Sequence, residues 1–298
     1  MERDRPNFFS GPYVERRAEE RDNPQWLAEA RADPATRYLI AQGTTQLLRD
    51  SAEPCIALLG HDAPLLGATE SGSEILLGWF RGERCLLLEL PAEGSFELPA
   101  GTQLAELRPL SALLPAEEAG LLAYARALVI WRARHRRCGV CGAPTAASRA
   151  GHCLVCTDPS CAEEYFPRID PAIIVLVSDG ERALLGRQSS WPARRYSTIA
   201  GFLEPGESLE DAVVREVAEE TGVHATEVRY HSSQPWPFPS SLMVGFQARA
   251  APGSEVRVGG ELEDARWFTR EQVHSGEVLA PPTRSISWRL IETWLKPR

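Results

Sequence analysis

The chain has 298 residues, more than one domain of ordinary size needs, and 43% of them are hydrophobic, enough for packed cores. Its formal charge is −9, from 32 Lys and Arg against 41 Asp and Glu, which opposes the broad attraction that nonspecific nucleic-acid binding requires. No apolar run is long enough to span a bilayer and the charged start MERDRPNFF carries no leader, so no membrane contact and a cytoplasmic location are expected.

In the first hundred residues, short apolar runs (YLIAQ, CIALLG, EILLGWF, RCLLLEL) are separated by Gly, Pro and acidic turns, which predicts a β-rich domain. Cys55 and Cys85 lie in these runs and read as buried packing residues. No internal repeat is visible. Glu117 to Arg136 reads as a helix, with Leu121, Leu122, Leu128, Val129 and Trp131 among its apolar positions. The basic residues that close it complement the helix dipole, a reading favoured over a phosphate grip.

Five of the seven cysteines fall between Cys138 and Cys161. Close CxxC spacing, an odd total and no leader argue for one zinc per chain in a reducing compartment rather than disulfides. Cys138 and Cys141 form the first pair. Spacing alone prefers Cys153 with Cys156 as the second, while Cys156 with Cys161 is the alternative. Four thiolates would close a tetrahedron with no open position, so this metal is expected to be structural. His152 reads as a solvated loop residue.

After the cysteines, AIIVLVSDGERALLGRQ predicts a buried hairpin turning at Asp179 and Gly180. Ser208 can cap a helix with Asp211 three residues on, and Gly222 can end it in a left-handed turn, so Leu209 to Thr221 is predicted helical. At 100° per residue, Leu209, Val213, Glu216 and Glu220 share one narrow sector, with Glu219 at its edge. Two carboxylates on a core-facing stripe repel each other and lose solvation, a combined cost of several kcal/mol unless neutralised. Hard oxygen donors of this kind suit magnesium or manganese. Further on, SQPWPFPSS alternates prolines with Trp236 and Phe238, which forbids helix and fixes two rings as a stacking platform. Strands around LMVGFQARA and ARWFT and a helix over Ser285 to Leu295 complete the chain. Its single lysine, Lys296, excludes a P-loop lysine in the body of the protein.

The 23 residues from Gly201 to Val223 fit G-x5-E-x7-R-E-U-x-E-E-x-G-U at each fixed position: Gly201, Glu207, Arg215, Glu216, Val217, Glu219, Glu220, Gly222 and Val223. This resembles the Nudix box. With SQPWPFP and SLM following, the chain is identified as resembling the NADH pyrophosphatase subfamily of the Nudix hydrolases. The resemblance implies an α+β multidomain protein: a β-rich N-terminal domain over 1–135, a zinc ribbon over 136–168, and a Nudix α/β/α sandwich over 169–298. It implies hydrolysis of NADH or NAD⁺ to nicotinamide mononucleotide and AMP, leaves NAD-capped RNA open as a substrate, and implies a homodimer. It favours Cys156 and Cys161 as the second zinc pair. By the same resemblance Glu216, Glu219, Glu220, Glu261 and the Ala200 carbonyl would hold magnesium or manganese, Arg215 would orient the acids, and Glu207 would join the cluster. Glu263 and Asp264 stand beside Glu261 and compete for its role. The dinucleotide would meet Phe202, Gln234, Pro235, Trp236, Pro237, Phe238, Pro239, Ser240, Ser241 and Ser287, and also Phe166, which stands where the family often has tyrosine. The competing readings are a Nudix hydrolase of another nucleoside diphosphate derivative such as ADP-ribose, and a non-catalytic nucleotide-sensing zinc-ribbon regulator.

Overall fold

The structure is a computed structural model that describes residues 6–70 and 72–296. The charged start read as leaderless lies, up to Arg5, outside the described residues. The chain divides into two compact units, one spanning Phe9–Ile169 with Pro237–Ser240, the other Asp170–Trp236 with residues 6–8 and 241–296.

The first unit carries β1 (Val14–Glu15), α1 (Pro24–Ala32), β2 (Arg37–Gln42), β3 (Thr45–Arg49), β4 (Ile75–Phe80), β5 (Glu83–Glu89) and β6 (Thr102–Glu106). The six strands form one sheet in the order β1-β4-β5-β2-β3-β6, with β2 and β5 parallel. Side chains alternate across a strand. Tyr38 and Ile40 of β2, Leu76 of β4, and Leu86 and Leu88 of β5 therefore pack one apolar layer with Trp26 of α1. Three of the four apolar runs are strands. CIALLG is not: only Ile56 and Leu59 make isolated bridges, to Leu48 and Tyr38. Burial of an apolar run does not require a ladder, and this run is buried as a connection. Cys85 is buried, but Cys55 is only half-buried.

Two helices follow, α2 (Leu107–Leu110) and α3 (Ala116–Arg134), the latter burying Leu121, Leu122, Leu128, Val129 and Trp131. Arg132 donates to the carbonyls of Ser73 and Gly72, at 2.6 and 2.9 Å, so it ties the helix end to the turn before β4. A small sheet of β7 (Thr145–Ser148), β8 (Cys153–Cys156) and β9 (Glu164–Tyr165) closes the unit.

His152 corrects the sequence reading. It is 5% exposed, its Nε2–H donates to the Leu76 carbonyl at 2.9 Å, and its ring stacks on Tyr124 at 6.0 Å. The close approach is made by Gly151, at φ 91°, where a Cβ would lie 2.8 Å from the Glu74 carbonyl oxygen. Burial pushes the imidazole down to about 4. A base depressed in the folded state stabilises the fold above its unfolded value and loses that contribution as pH falls through the folded one. Thermal melts between about pH 7 and pH 4 are therefore expected to show a loss of roughly 3 kcal/mol that His152→Gln does not share. Identical pH profiles for the two proteins would refute the burial account.

The second unit runs β10 (Asp170–Ser178), β11 (Arg182–Arg187), β12 (Ile199–Phe202), α4 (Leu209–Thr221), β13 (Ala225–Trp236), β14 (Ser241–Ala250), β15 (Asp264–Thr269), α5 (Arg270–His274) and α6 (Ile286–Leu295). Its sheet is ordered β13-β14-β10-β11-β15, with β12 pairing β10 and with β10 parallel to β14. β10 is buried on both faces, which explains its unbroken apolar run. Ile173, Val175 and Val177 pack with Val213 and Val217 of α4, while Ile174 and Leu176 pack with Leu290, Ile291 and Trp294 of α6. Helices thus cover both faces in an α/β/α sandwich. Pro235 is tolerated within β13 because that strand is the sheet edge.

Candidate active site

Helix α4 forms with the caps its sequence dictates. The Ser208 hydroxyl accepts from Asp211 N–H, the Asp211 carboxylate accepts from Ser208 N–H, and Gly222 takes φ 70°. On its inner face Glu220 is 7% exposed and the Glu216 side chain 13% exposed, whereas Glu219 is 60% exposed. The Glu216 carboxylate lies over β12: a Cβ on Gly201 would fall about 2 Å from it. Only glycine leaves room there, and the adjoining Ala200 sits opposite Ile174 in the same ladder.

Arg215 organises the acids. Nε and Nη2 donate to the two Glu207 oxygens, Nη1 to Glu216 and Glu219 at 2.9 and 3.0 Å, and Nη2 also to the Phe202 carbonyl at 2.9 Å. The guanidinium holds the Glu207 carboxyl down to about 2, with help from the Glu204 N–H. Both Glu207 oxygens are therefore spent on a brace between the loop and α4. Glu220 has no such cation among the described residues. Burial, with Glu216 and Glu261 adding, pushes its carboxyl up to about 7. Burial also raises Glu216, against the pull of Arg215.

Glu261 arrives by a route that the sequence reading missed. Gly259 N–H donates to the Glu220 carbonyl at 2.8 Å, and a Cβ at 259 would lie 2.1 Å from the Glu219 carbonyl oxygen. That backbone contact brings Glu261 into the field of Glu216 and Glu220. Its rivals are engaged elsewhere, Glu263 with Arg187, and Asp264 with Tyr196 and Arg266.

The SQPWPFPSS segment is less of a ligand platform than its sequence suggests. Gln234 is fully buried, donates to the Phe8 and Arg284 carbonyls at 3.1 and 2.9 Å, and accepts from Ile286 N–H at 2.8 Å. Its amide is thus used on the backbone at the start of α6. Pro235, Trp236 and Ser241 lie in the β13–β14 ladder, with Trp236 half-buried and Ser241 buried. The Pro237 carbonyl accepts from Arg126 at 2.9 Å. The Phe238 ring lies beneath the guanidinium groups of Arg108 and Arg126, at 5.2 and 5.3 Å, with Phe9 edge-on at 5.9 Å. Pro239 is exposed and Ser240 half-buried. Ser287 is 4% exposed, within 3.2 Å of the Ser197 and Thr198 hydroxyls and the Thr198 N–H. By contrast, Phe202 and Phe166 are 60% and 52% exposed, with Arg149 over the Phe166 ring at 5.2 Å. Phe202 is the open ring beside the carboxylates.

The Sγ atoms of Cys138, Cys141, Cys156 and Cys161 lie within 4.8 Å of one another. Cys138 and Cys161 are 3.7 Å apart, and Cys141 and Cys156 3.4 Å. Four sulfurs about 2.3 Å from a tetrahedral zinc would stand about 3.8 Å apart, so the donor set fits that ion. The Tyr165 hydroxyl donates to Cys138 at 3.1 Å and holds its thiol down to about 6. Cys153 is fully buried outside the cluster. The spacing preference for it fails because the segment is a strand, in which residues three apart face opposite sides.

Family models agree with this geometry. The Nudix domain matches residues 168–293, the NADH pyrophosphatase zinc ribbon domain 133–166, and the NADH pyrophosphatase-like rudimentary Nudix domain 35–131. The chain is 34% identical to the NAD-capped RNA hydrolase NUDT12 of Macaca fascicularis, over 97% of this chain and 73% of the relative. It is 38% identical to the NAD-capped RNA hydrolase NudC of Mycobacterium bovis, over 89% of this chain and 84% of the relative. The chain belongs to the NADH pyrophosphatase branch of the Nudix family. Membership also recasts the first unit. The rudimentary Nudix match at 35–131 makes it a second Nudix-like sheet that α3 accompanies, where no repeat is visible in the letters. What recurs is architecture, because α3 has a buried Glu118 but no pair of stacked acids like Glu216 and Glu220. A fold from a solved Nudix hydrolase of Nitrosomonas europaea covers 54% of the chain at 21% identity, with a TM-score of 0.42.

Proposed function

We propose that the chain hydrolyses the pyrophosphate bond of NADH and NAD⁺, releasing nicotinamide mononucleotide and AMP, and that it removes the same dinucleotide from the 5′ end of NAD-capped RNA. The observation that carries this reading is the pair Glu216 and Glu220, packed inward on α4 with Glu220 pushed up to about 7. Such a pair is costly by itself and becomes favourable around hard divalent cations. Magnesium or manganese fits the all-oxygen set of Glu216, Glu219, Glu220, Glu261 and the Ala200 carbonyl. Bound there, the metal would lower the pKa of a water and offset charge on the pyrophosphate oxygens.

The side chains do the rest. Arg215 fixes Glu207, Glu216 and Glu219 in register, so the acids spend no reorganisation during the reaction. Glu219, the exposed acid of the set, would take a proton from the attacking water. As the water oxygen bonds to phosphorus, the bridging P–O bond breaks and each mononucleotide leaves with one phosphate. Phe202 offers a ring face to a base of the substrate. The names of the relatives support NAD-capped RNA as a substrate. The proposal includes a homodimer, a cytoplasmic location, and divisions of the chain at 135/136 and 168/169.

With NADH and magnesium, chromatography should find reduced nicotinamide mononucleotide and AMP in equal amounts, with ADP-ribose turned over more slowly. Faster turnover of ADP-ribose would favour the other hydrolase reading, and no turnover of either compound would favour the regulator.

A further inference from the structure

The second unit holds another concavity, on the sheet face that α6 covers. It is a cavity of about 670 Å³ with Leu176 and Trp294 in its wall and four cations around it: Arg229, Arg249, Arg270 and Lys296. In a chain of net charge −9, this is where the only lysine of the sequence sits. Among the described residues its lining holds one carboxylate, Glu227, which lies 3.3 Å from Arg229.

Among the described residues, the guanidinium groups of Arg249 and Arg270 have no acid partner. Arg270 stacks on Trp294 at 4.4 Å and reaches only carbonyls, those of Trp294, Gly180 and Glu181 at 3.2 Å. The Nη1 of Arg249 is buried without a hydrogen-bond partner, and Arg249 makes no ion pair among the described residues. Gly180 admits it: a Cβ there would stand 3.1 Å from Nη1. A buried guanidinium N–H left unpaired is costly, and like charges facing one cavity add to the cost. An oxyanion entering the cavity relieves the repulsion among the cations that line it, because the planar fork of arginine suits phosphate oxygens.

We infer that this cavity is a phosphate-binding site, distinct from the carboxylate cluster. Glu216 lies on Gly201, which pairs with Ile173, whereas Arg249 pairs with Ser178 five residues further along β10. At about 3.3 Å per residue the separation is roughly 17 Å, and α4 and α6 lie on opposite faces of the sheet. The phosphate group can come from a small phosphorylated compound or from the phosphodiester backbone of an RNA. The second source rests on the proposed decapping activity.

Calorimetric titration of the intact chain with inorganic phosphate, without added magnesium or manganese, tests the site apart from turnover. Saturable binding to one site is expected, weakened about tenfold in Arg249→Gln and measurably in the exposed Arg229→Gln, with NAD⁺ hydrolysis unchanged. The second variant keeps the test open should the first not fold. With an NAD-capped oligonucleotide as substrate, a raised KM at constant kcat in the variants identifies RNA as the occupant. An unchanged KM together with lost phosphate binding assigns the site to a small phosphorylated compound. No phosphate binding by the intact chain, or equal affinity in all three proteins, overturns the inference, and neither result depends on whether the hydrolase reading holds.

Discussion

Glu220→Gln is expected to lower turnover of NADH by roughly 10²- to 10³-fold, the effect of losing one carboxylate from a divalent-cation site. The same substitution is expected to stabilise the chain when magnesium and manganese are withheld. In that state burial pushes the Glu220 carboxyl from an ordinary value near 4.5 up to about 7. An acid raised on folding destabilises the fold in full above the folded value, and the penalty disappears as pH falls toward the unfolded value and the folded state takes the proton. The wild-type chain should therefore gain up to roughly 3 kcal/mol between about pH 8 and pH 5, a gain the amide variant lacks. Thermal melts at the two pH values and a steady-state assay at neutral pH measure both effects. A variant as active as the wild type, or one less stable at about pH 8 without added metal, would remove Glu220 from the centre of the site.

Cys161→Ser is expected to abolish the bound zinc, about one equivalent per chain, while Cys153→Ser retains it. Structural zinc contributes roughly 10–16 kcal/mol in small ribbons of this kind. The sheet around it has strands of only four, four and two residues, too little to hold a core unaided. Loss of one thiolate should open residues 136–168 to proteolysis and hydrogen exchange. Metal analysis with peptide-resolved exchange checks both statements, and zinc lost from the Cys153 variant instead would reverse the ligand set.

Local chemistry made parts of this protein legible at once. The bounds of α4 agree with its sequence reading at both ends because a capping box and a left-handed glycine act within a few residues. The hairpin at Asp179 and Gly180 and the helix beginning after Ser285 follow from equally local signals. Glu216 and Glu220 announced themselves by breaking an apolar stripe, and the structure packs both inward.

Where partners come from distant segments, the letters misled. Gln234 belongs to a recognisable string, yet its amide is spent on Phe8, Arg284 and Ile286, residues some 50 to 230 positions away. Phe238 looks like an open ring until α2 and α3 are folded beside it, with Arg108 and Arg126 over its face. Arg126 and Gly259 carry no motif, and their roles come from contacts with Pro237 and with the end of α4.

Sequence by itself determined the box helix, its inward acids, the cysteine-rich ribbon and the family, because caps, periodicity and fixed spacings are properties of neighbouring residues. Tertiary structure alone decided that His152 is buried, and it supplied the geometry behind two assignments that the resemblance already favoured, Cys161 over Cys153 in the thiolate cluster and Glu261 over Glu263 and Asp264 in the field of the acids. Each of those outcomes depends on which strand face or distant backbone meets the side chain. Pairing across hundreds of residues sets that geometry, and no local window contains it.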